Sequence, residues 1–215
     1  MFQRLKGFFT AILCIILVCS FFSCSEKREL QVLFYEESVL MRTEDSVALV
    51  GTDIPDLDTN RIDTLVIPDV NALEKAEMLM QVYEVGTVYI PKDDELYNLC
   101  SNFDCFTVRV EGSMSFGIGG ASVSVGAGQS DPSLITRVSL GKDRLLICGA
   151  MDKQRLEEIK SIDTGSFGYI NFTAQQTEIA DEVLNAYTPH TLIFTGCEPY
   201  IDGYAVASES IILKE

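Results

Sequence analysis

Apolar and polar positions alternate in short runs along most of this chain, and in three stretches they recur at helical spacing. Leu30 to Leu40 is apolar around a Glu36-Glu37 interruption, and Ser46 to Val50 is a second short run. Together they predict a hairpin turning near Glu44-Asp45. Asp56 to Asn60 is a polar loop, and Arg61 to Pro68 ends in an apolar run that reads as a buried strand. Asn71 then offers a helix cap with Glu74 three positions on, the spacing of a capping box. Leu73, Ala76, Leu79, Met80 and Tyr83 share one face up to Val85, so the segment predicts an amphipathic helix that Gly86 stops. Thr87 to Ile90, closed by Pro91, is the next strand. A strand, a helix and a strand in this order build a partly parallel sheet.

From Phe103 to Gly128 the period shortens to two, with glycine at the turns, which predicts short antiparallel strands. Leu134 to Leu140 and Arg144 to Cys148 form a hairpin around Gly141-Lys142-Asp143. Asp152 to Ile162 reads as a helix with Leu156 and Ile159 inward. Gly168 to Phe172 is a strand. Gln175 to Tyr187 is another helix, with Ile179, Val183 and Ala186 on its apolar stripe, and Pro189 breaks it. Thr191 to Thr195 is a strand, and Tyr204 to Leu213 holds one or two more. No linker divides the chain, so one domain with two half-sheets is expected.

Residues 1 to 23 stand apart. Arg4 and Lys6 head an apolar run from Gly7 to Phe22, followed by Ser23, Cys24 and a polar stretch. That is the order of a secretory signal, and the run is shorter than the span of about 20 residues that crosses a bilayer. Cys24 after Ser23 resembles a bacterial lipoprotein cleavage site, although Phe21 and Phe22 replace the aliphatic and small residues usual there. The expected organisation is a signal peptide over 1–23, a short tether over 24–29 and a domain over 30–215. Acyl chains on Cys24 would hold the domain to a membrane.

Charge narrows the reading. The chain has 16 Lys and Arg against 32 Asp and Glu, a net charge of −16. Without Arg4 and Lys6 the balance is 14 against 32, or −18. No basic run opposes that field, which excludes nucleic acid as the expected partner. Anionic lipid headgroups gain little from such a body, so anchoring falls to the acyl chains. Of seven cysteines, Cys100, Cys105, Cys148 and Cys197 remain beyond Cys24. Export permits disulfides, and Cys100 with Cys105 could close a small loop. For Cys148 and Cys197 a buried thiol and a bridge both fit. The FGIGGAS stretch has no lysine after its glycines and no strand-to-helix junction, so it is not a phosphate loop.

The stretch RIDTLVIPDVNALEKAEMLMQVYEVGTVYIP, from Arg61, resembles the metallo-β-lactamase fold as carried by bacterial competence proteins of DNA uptake. In that family a strand ends in Thr-His-x-His-x-Asp-His before a helix. Here Pro68 falls at the Thr, Asp69 and Asn71 at the first two His, and Leu73 and Glu74 at the Asp-His pair. Further on, DPSLITRVSLGKDRLLICGAMDKQRLEEI resembles the hairpin that ends in Gly-Asp, with Gly149-Ala150 in its place. YINFTAQQTEIADEVLNAYTPHTLIFTG resembles the segment with a His-His-Gly signature, whose positions fall to Phe172, Thr173 and Ala174. Of the N-terminal Gly-Gln-Gly-Asp only the strand pattern and Glu37 near the Asp remain. The resemblance covers Leu30 to Gly196 and implies an α/β fold, a metallo-β-lactamase-like αββα sandwich of two mixed sheets.

It also implies a metal site whose ligands have been replaced. A hydrolytic zinc centre needs about three protein ligands and an open position, and His190 is the sole histidine. At a strand entrance after Pro189, it reads as a surface or edge residue. As local chemistry, Asp69, Asn71 and Glu74 form a polar strand-to-helix turn with Asn71 as cap. The expected protein is therefore a non-catalytic, lipid-anchored envelope protein with no metal and no cofactor. Its role is structural or binding, with an envelope protein as partner. The glycine-rich hairpins from Ser113 to Gly128 and the residues Tyr200 to Tyr204 are the candidate surfaces. The alternative is a residual hydrolase using oxygen ligands near Asp69 and Glu74, with Asp152. Cys148 as a nucleophile would need His190 beside it as base.

Overall fold

The computed structural model describes residues 28–53, 55–128, 133–162, 165–173, 177–195, 205–206 and 210–215. The expected signal segment with Cys24, and also Ala174, Cys197 and residues 200–204, lie outside them.

Two seven-stranded mixed sheets face each other across a shared apolar layer. The first sheet holds β1 (Glu29–Phe34), β2 (Ser38–Arg42), β3 (Val47–Gly51), β4 (Arg61–Val66), β5 (Glu84–Ile90) and β6 (Phe106–Arg109). The last strand of the chain, β14 (Ser210–Lys214), returns to pair antiparallel with β1, giving the order β14-β1-β2-β3-β4-β5-β6. From β14 to β3 the pairing is antiparallel, and from β3 to β6 it is parallel. The second sheet holds β7 (Ser113–Ile118), β8 (Ala121–Ala127), β9 (Leu134–Leu140), β10 (Asp143–Ala150), β11 (Tyr169–Thr173), β12 (Thr191–Phe194) and β13 (Ala205–Val206). It is antiparallel from β7 to β10 and parallel from β10 to β13.

Helices cover the outer faces because the parallel strands need crossovers. In the first half these are α1 (Leu73–Val82) and α2 (Asp94–Cys100); in the second, α3 (Lys153–Ile162) and α4 (Thr177–Tyr187). Strand alternation distributes the side chains. Leu30, Val32 and Phe34 of β1 enter the central layer with Val123, Val125, Leu145 and Ile147 of the second sheet. Leu40 and Leu49 point the other way, under Ala76, Leu79 and Met80 of α1. Ile170 and Phe172 do the same under Leu156, Ile159, Ile179 and Val183 of α3 and α4. Among the described residues no helix is long and apolar enough to cross a membrane.

The structure corrects several local expectations. Leu30 to Leu40 is two strands, because Glu36 and Glu37 form a turn; the hairpin at Glu44-Asp45 joins β2 to β3. The first helix ends at Val82, and Gly86 lies inside β5, where a Cβ would come 2.8 Å from the Asp63 carbonyl oxygen. Residues 94–100 form a helix that no expectation covered, capped by Asp93, whose side chain accepts from the Leu96 N–H at 2.8 Å. On α4 the buried stripe is Ile179, Ala180, Val183 and Tyr187, while Ala186 is exposed. β6 joins the first sheet in parallel rather than the antiparallel group that follows it.

Gly51 ends β3 with φ of +112°, and a Cβ there would collide with the Glu37 carbonyl oxygen and Ser38. No flexible side-chain tip can yield to relieve a clash with backbone. Gly51→Ala is expected to cost about 1–3 kcal/mol of stability from strain at this φ. Urea unfolding checks it; an unchanged midpoint would refute the packing at this corner.

Candidate functional site

The strands β1, β3, β4, β10 and β11 deliver their C-terminal ends to one pole of the sandwich, where a cavity of about 890 Å³ opens between the sheets. From the first sheet it is lined by the Glu36-Glu37 turn, Val39, Val50, Gly51 and Thr52, and then by Pro68, Asp69, Asn71 and Lys75. From the second it is lined by Leu134, Ile147, Cys148, Gly149, Asp152, Arg155, Glu158, Asn171 and Ile179. The convergence follows from topology: parallel strands on both sheets place their outgoing loops on the same side.

One rim is held by a polar network. The Lys75 ammonium bonds the Glu37 carboxylate and lies 3.9 Å from Asp53. The Glu37 N–H donates to Asp53 Oδ2 at 2.5 Å, and the Asp53 N–H donates to Ser38 Oγ at 2.7 Å. The hydrogen bond to Glu37 holds Lys75 above its ordinary pKa. The β1–β2 turn, the end of β3 and the start of α1 are thereby tied together.

The opposite wall carries a buried guanidinium. Arg155, 6% exposed, donates from Nη1 to the Ser133 carbonyl at 3.1 Å and from Nη2 to the Leu134 carbonyl at 3.0 Å. It lies 3.7 Å from the buried Glu158 carboxylate. The group pins the entry of β9 to α3 and compensates Glu158, as buried charges require.

Two aspartates of the cavity have local tasks. Asp69 Oδ1 accepts from the Asn71 N–H at 2.8 Å and from Asn71 Nδ2 at 2.9 Å, capping a single 3-10 turn, Val70–Ala72. Asp69, and not Asn71, is therefore the cap. The residue before α1 is Ala72, which makes no side-chain cap bond, so the expected Asn71–Glu74 capping box is absent. Glu74 is exposed in the first turn of α1 and does not line the cavity. Asp152 Oδ1 accepts from the Arg155 N–H at 2.7 Å, as the N-terminal cap of α3.

The other expected positions divide. Gly149 lines the cavity and Ala150 ends β10, paired with Thr173 after a register shift that follows Ile147. Phe172 does not face the cavity. It is fully buried under α3 and α4, with its ring 4.9 Å from that of Phe194. Its neighbour Asn171 holds the cavity position instead, 3% exposed, with Nδ2 donating to the Ile193 carbonyl at 3.2 Å. Period-two alternation along β11 would have assigned Asn171 to that face. Glu36, Lys75, Arg155 and Glu158 of the lining carried no motif signal.

His190 is exposed at the entrance of β12, with its N–H on the Gly168 carbonyl at 2.9 Å, at the end of the sheet away from the cavity. Cys148, fully buried, therefore has no imidazole beside it, and burial pushes its thiol up to about 12. Cys100 and Cys105 are free thiols, so the bridge that their spacing would allow is absent. The Cys105 thiol reaches the Cys100 carbonyl at 3.5 Å, and burial raises Cys100 to about 11.

Among the described residues no group of three or more His, Cys, Asp or Glu is placed to hold a metal ion. The donor set does not fit a hydrolytic centre: two carboxylates serve as caps, a third points out, and the imidazole lies at the other pole.

No protein-family model matches the sequence, and no curated protein matches it. Solved structures do. A CmlA β-hydroxylase mutant superposes with a TM-score of 0.62 at 13% identity, over 88% of this chain and 54% of that one. This chain thus spans about half of that protein. The metallo-β-lactamase fold protein YhfI from Bacillus subtilis gives 0.59 at 9% identity, over 87% of this chain and 100% of that one. The short form of human tRNase Z gives 0.55 at 11% identity, over 86% and 98%. These likenesses establish the fold: the chain is an αββα sandwich of the metallo-β-lactamase kind.

The buried Cys148 thiol gives a pH signature. An unfolded thiol at the ordinary value of 9.0 ionises while the folded one, near 12, does not. Its contribution to stability is complete below pH 9 and is lost as pH rises towards 12. Between pH 8 and 10 the wild-type protein should lose about 1.4 kcal/mol relative to Cys148→Ala. Urea unfolding of both proteins at the two pH values measures this. A difference independent of pH would contradict the buried thiol.

Proposed function

We propose that the protein is a non-catalytic, lipid-anchored component of the bacterial cell envelope that binds a ligand or partner through the cavity between its sheets. The observation that carries this reading is the state of the cavity: the space persists, while Asp69 and Asp152 serve as helix caps and Glu74 faces solvent. Concave sites with an apolar floor and a few fixed polar groups are the ordinary form of a binding pocket. Val39, Val50, Leu134 and Ile147 supply the floor; Asn171 and the Arg155–Glu158 pair supply fixed polar groups.

The sequence adds support. The competence-protein resemblance places Pro68, Asp69, Asn71, Leu73 and Glu74 where that family carries its first metal-binding motif. It places Ala150 at the later Asp, and Phe172 and Thr173 at the two histidines. Under that resemblance most of the ligand positions carry residues unsuited to zinc, which supports the reading as a pseudoenzyme. The segment ending at Cys24 supports export and acylation. The −18 body disfavours DNA handling.

A residual hydrolase with oxygen ligands is the second reading, favoured only by the presence of both Asp69 and Asp152 in the cavity lining. Under it the ion would have to displace two cap hydrogen bonds.

Expression of the full chain in a bacterial host, detergent extraction and intact mass tests the anchor. The expected product begins at Cys24 and carries two or three acyl chains, and Cys24→Ala moves the protein out of the membrane fraction. A product beginning at Met1, or an unmodified Cys24, would refute the acylated form.

A further inference from the structure

The two ends of the sandwich differ in their distance from Arg28, the first described residue. β1 starts at Glu29 and runs towards the Glu36-Glu37 turn on the cavity rim. Arg28, just before it, lies over the β7–β8 turn, where a Cβ on Gly120 would come 2.5 Å from Arg28 Cδ. Arg28 also pairs with Glu215 at 3.7 Å, and the Glu215 N–H donates to the Arg28 carbonyl at 3.2 Å. The β9–β10 turn belongs to the same end: the Lys214 N–H donates to Asp143 Oδ2 at 2.9 Å, and a Cβ on Gly141 would meet the Glu215 Cα at 2.9 Å. Lys214 Nζ closes the group on Glu29 at 3.0 Å. This pole is thus built from the start of β1, the end of β14 and two turns of the second sheet.

The cavity lies at the other pole. From Asp143 to Gly149 along β10 the rise is about 20 Å. Arg28 lies four positions after Cys24, and four residues span at most about 14 Å. The tether is therefore shorter than the body is tall, and it leaves from the pole opposite the cavity. Inverting the domain to bring the cavity to the bilayer would need a longer tether.

We propose that the Arg28–Lys142–Glu215 pole is the membrane-apposed face, and that the cavity opens at the membrane-distal pole, away from lipid. The proposal rests on acylation at Cys24. Two described cations of this face are paired, Arg28 with Glu215 and Lys214 with Glu29, which cuts the positive charge it offers to lipid headgroups. The bilayer is engaged through the acyl chains, and the protein surface over it is a stand-off face.

The test uses the full acylated protein in phospholipid vesicles doped with headgroup-nitroxide lipid. Fluorophores are attached at Lys142→Cys or at Glu36→Cys, with Cys105 and Cys197 replaced by Ser. Flotation with the vesicles reads the anchor; quenching reads the orientation. The expected result is flotation with several-fold stronger quenching at position 142 than at 36. A flexible insert of about 20 residues after Lys27 should erase that contrast, because its reach then exceeds the height of the domain. Flotation with equal or stronger quenching at position 36 overturns the orientation alone. Failure to float overturns the anchor, and the orientation with it.

Discussion

The shared apolar layer between the two sheets is the constraint on which the rest of the molecule depends. Each sheet must present one face to the other and a second face to its own helices, so its central strands are apolar on both sides. Part of each sheet is parallel, and crossovers between its parallel strands bring α1 to α4 to the outer faces. Parallel strands in turn send their outgoing loops to a single end. The cavity lies at that end, between the outgoing loops of the two sheets.

What the loops carry decides the chemistry. At the strand-to-helix junctions a carboxylate is stabilised by the free N–H groups of the first turn, and Asp69 and Asp152 take that position. A cap of this kind strengthens the loop and commits the oxygen at the same time. Lys75 and Arg155 are committed too, the first to Glu37 and the second to two carbonyls and Glu158. The result is a pocket with fixed polar walls and an apolar floor, held at the opposite pole from the start of β1.

Much of this was legible in the residues. The strand–helix–strand unit from Arg61 to Ile90 shows in its periodicity, and the helices α3 and α4 show in Leu156, Ile159, Ile179 and Val183. The αββα arrangement was readable through order and pattern, with the metal motifs absent. The Glu36-Glu37 turn was not, since two glutamates lack the glycine or asparagine that marks a turn. Nor was α2, whose seven residues are too few for a periodic stripe, although Asp93 caps it. Phe172 shows the limit most clearly. Alignment with a histidine motif drew attention to it, yet its ring belongs to the core and Asn171 faces the cavity. Strand register, which a single residue inverts, is set by partners far away in the chain. The return of β14 to β1 is of the same kind, a pairing across almost the whole sequence.

The two aspartates that line the cavity, Asp69 and Asp152, are engaged as caps, and the proposed function turns on whether the cavity holds a metal ion. The most direct test is calorimetric titration of the purified full-length protein with zinc, magnesium and calcium, together with its metal content as isolated. The account predicts well under one ion per chain and no saturable binding. One tightly held divalent ion per chain, lost on substitution of Asp69 or Asp152, would contradict it.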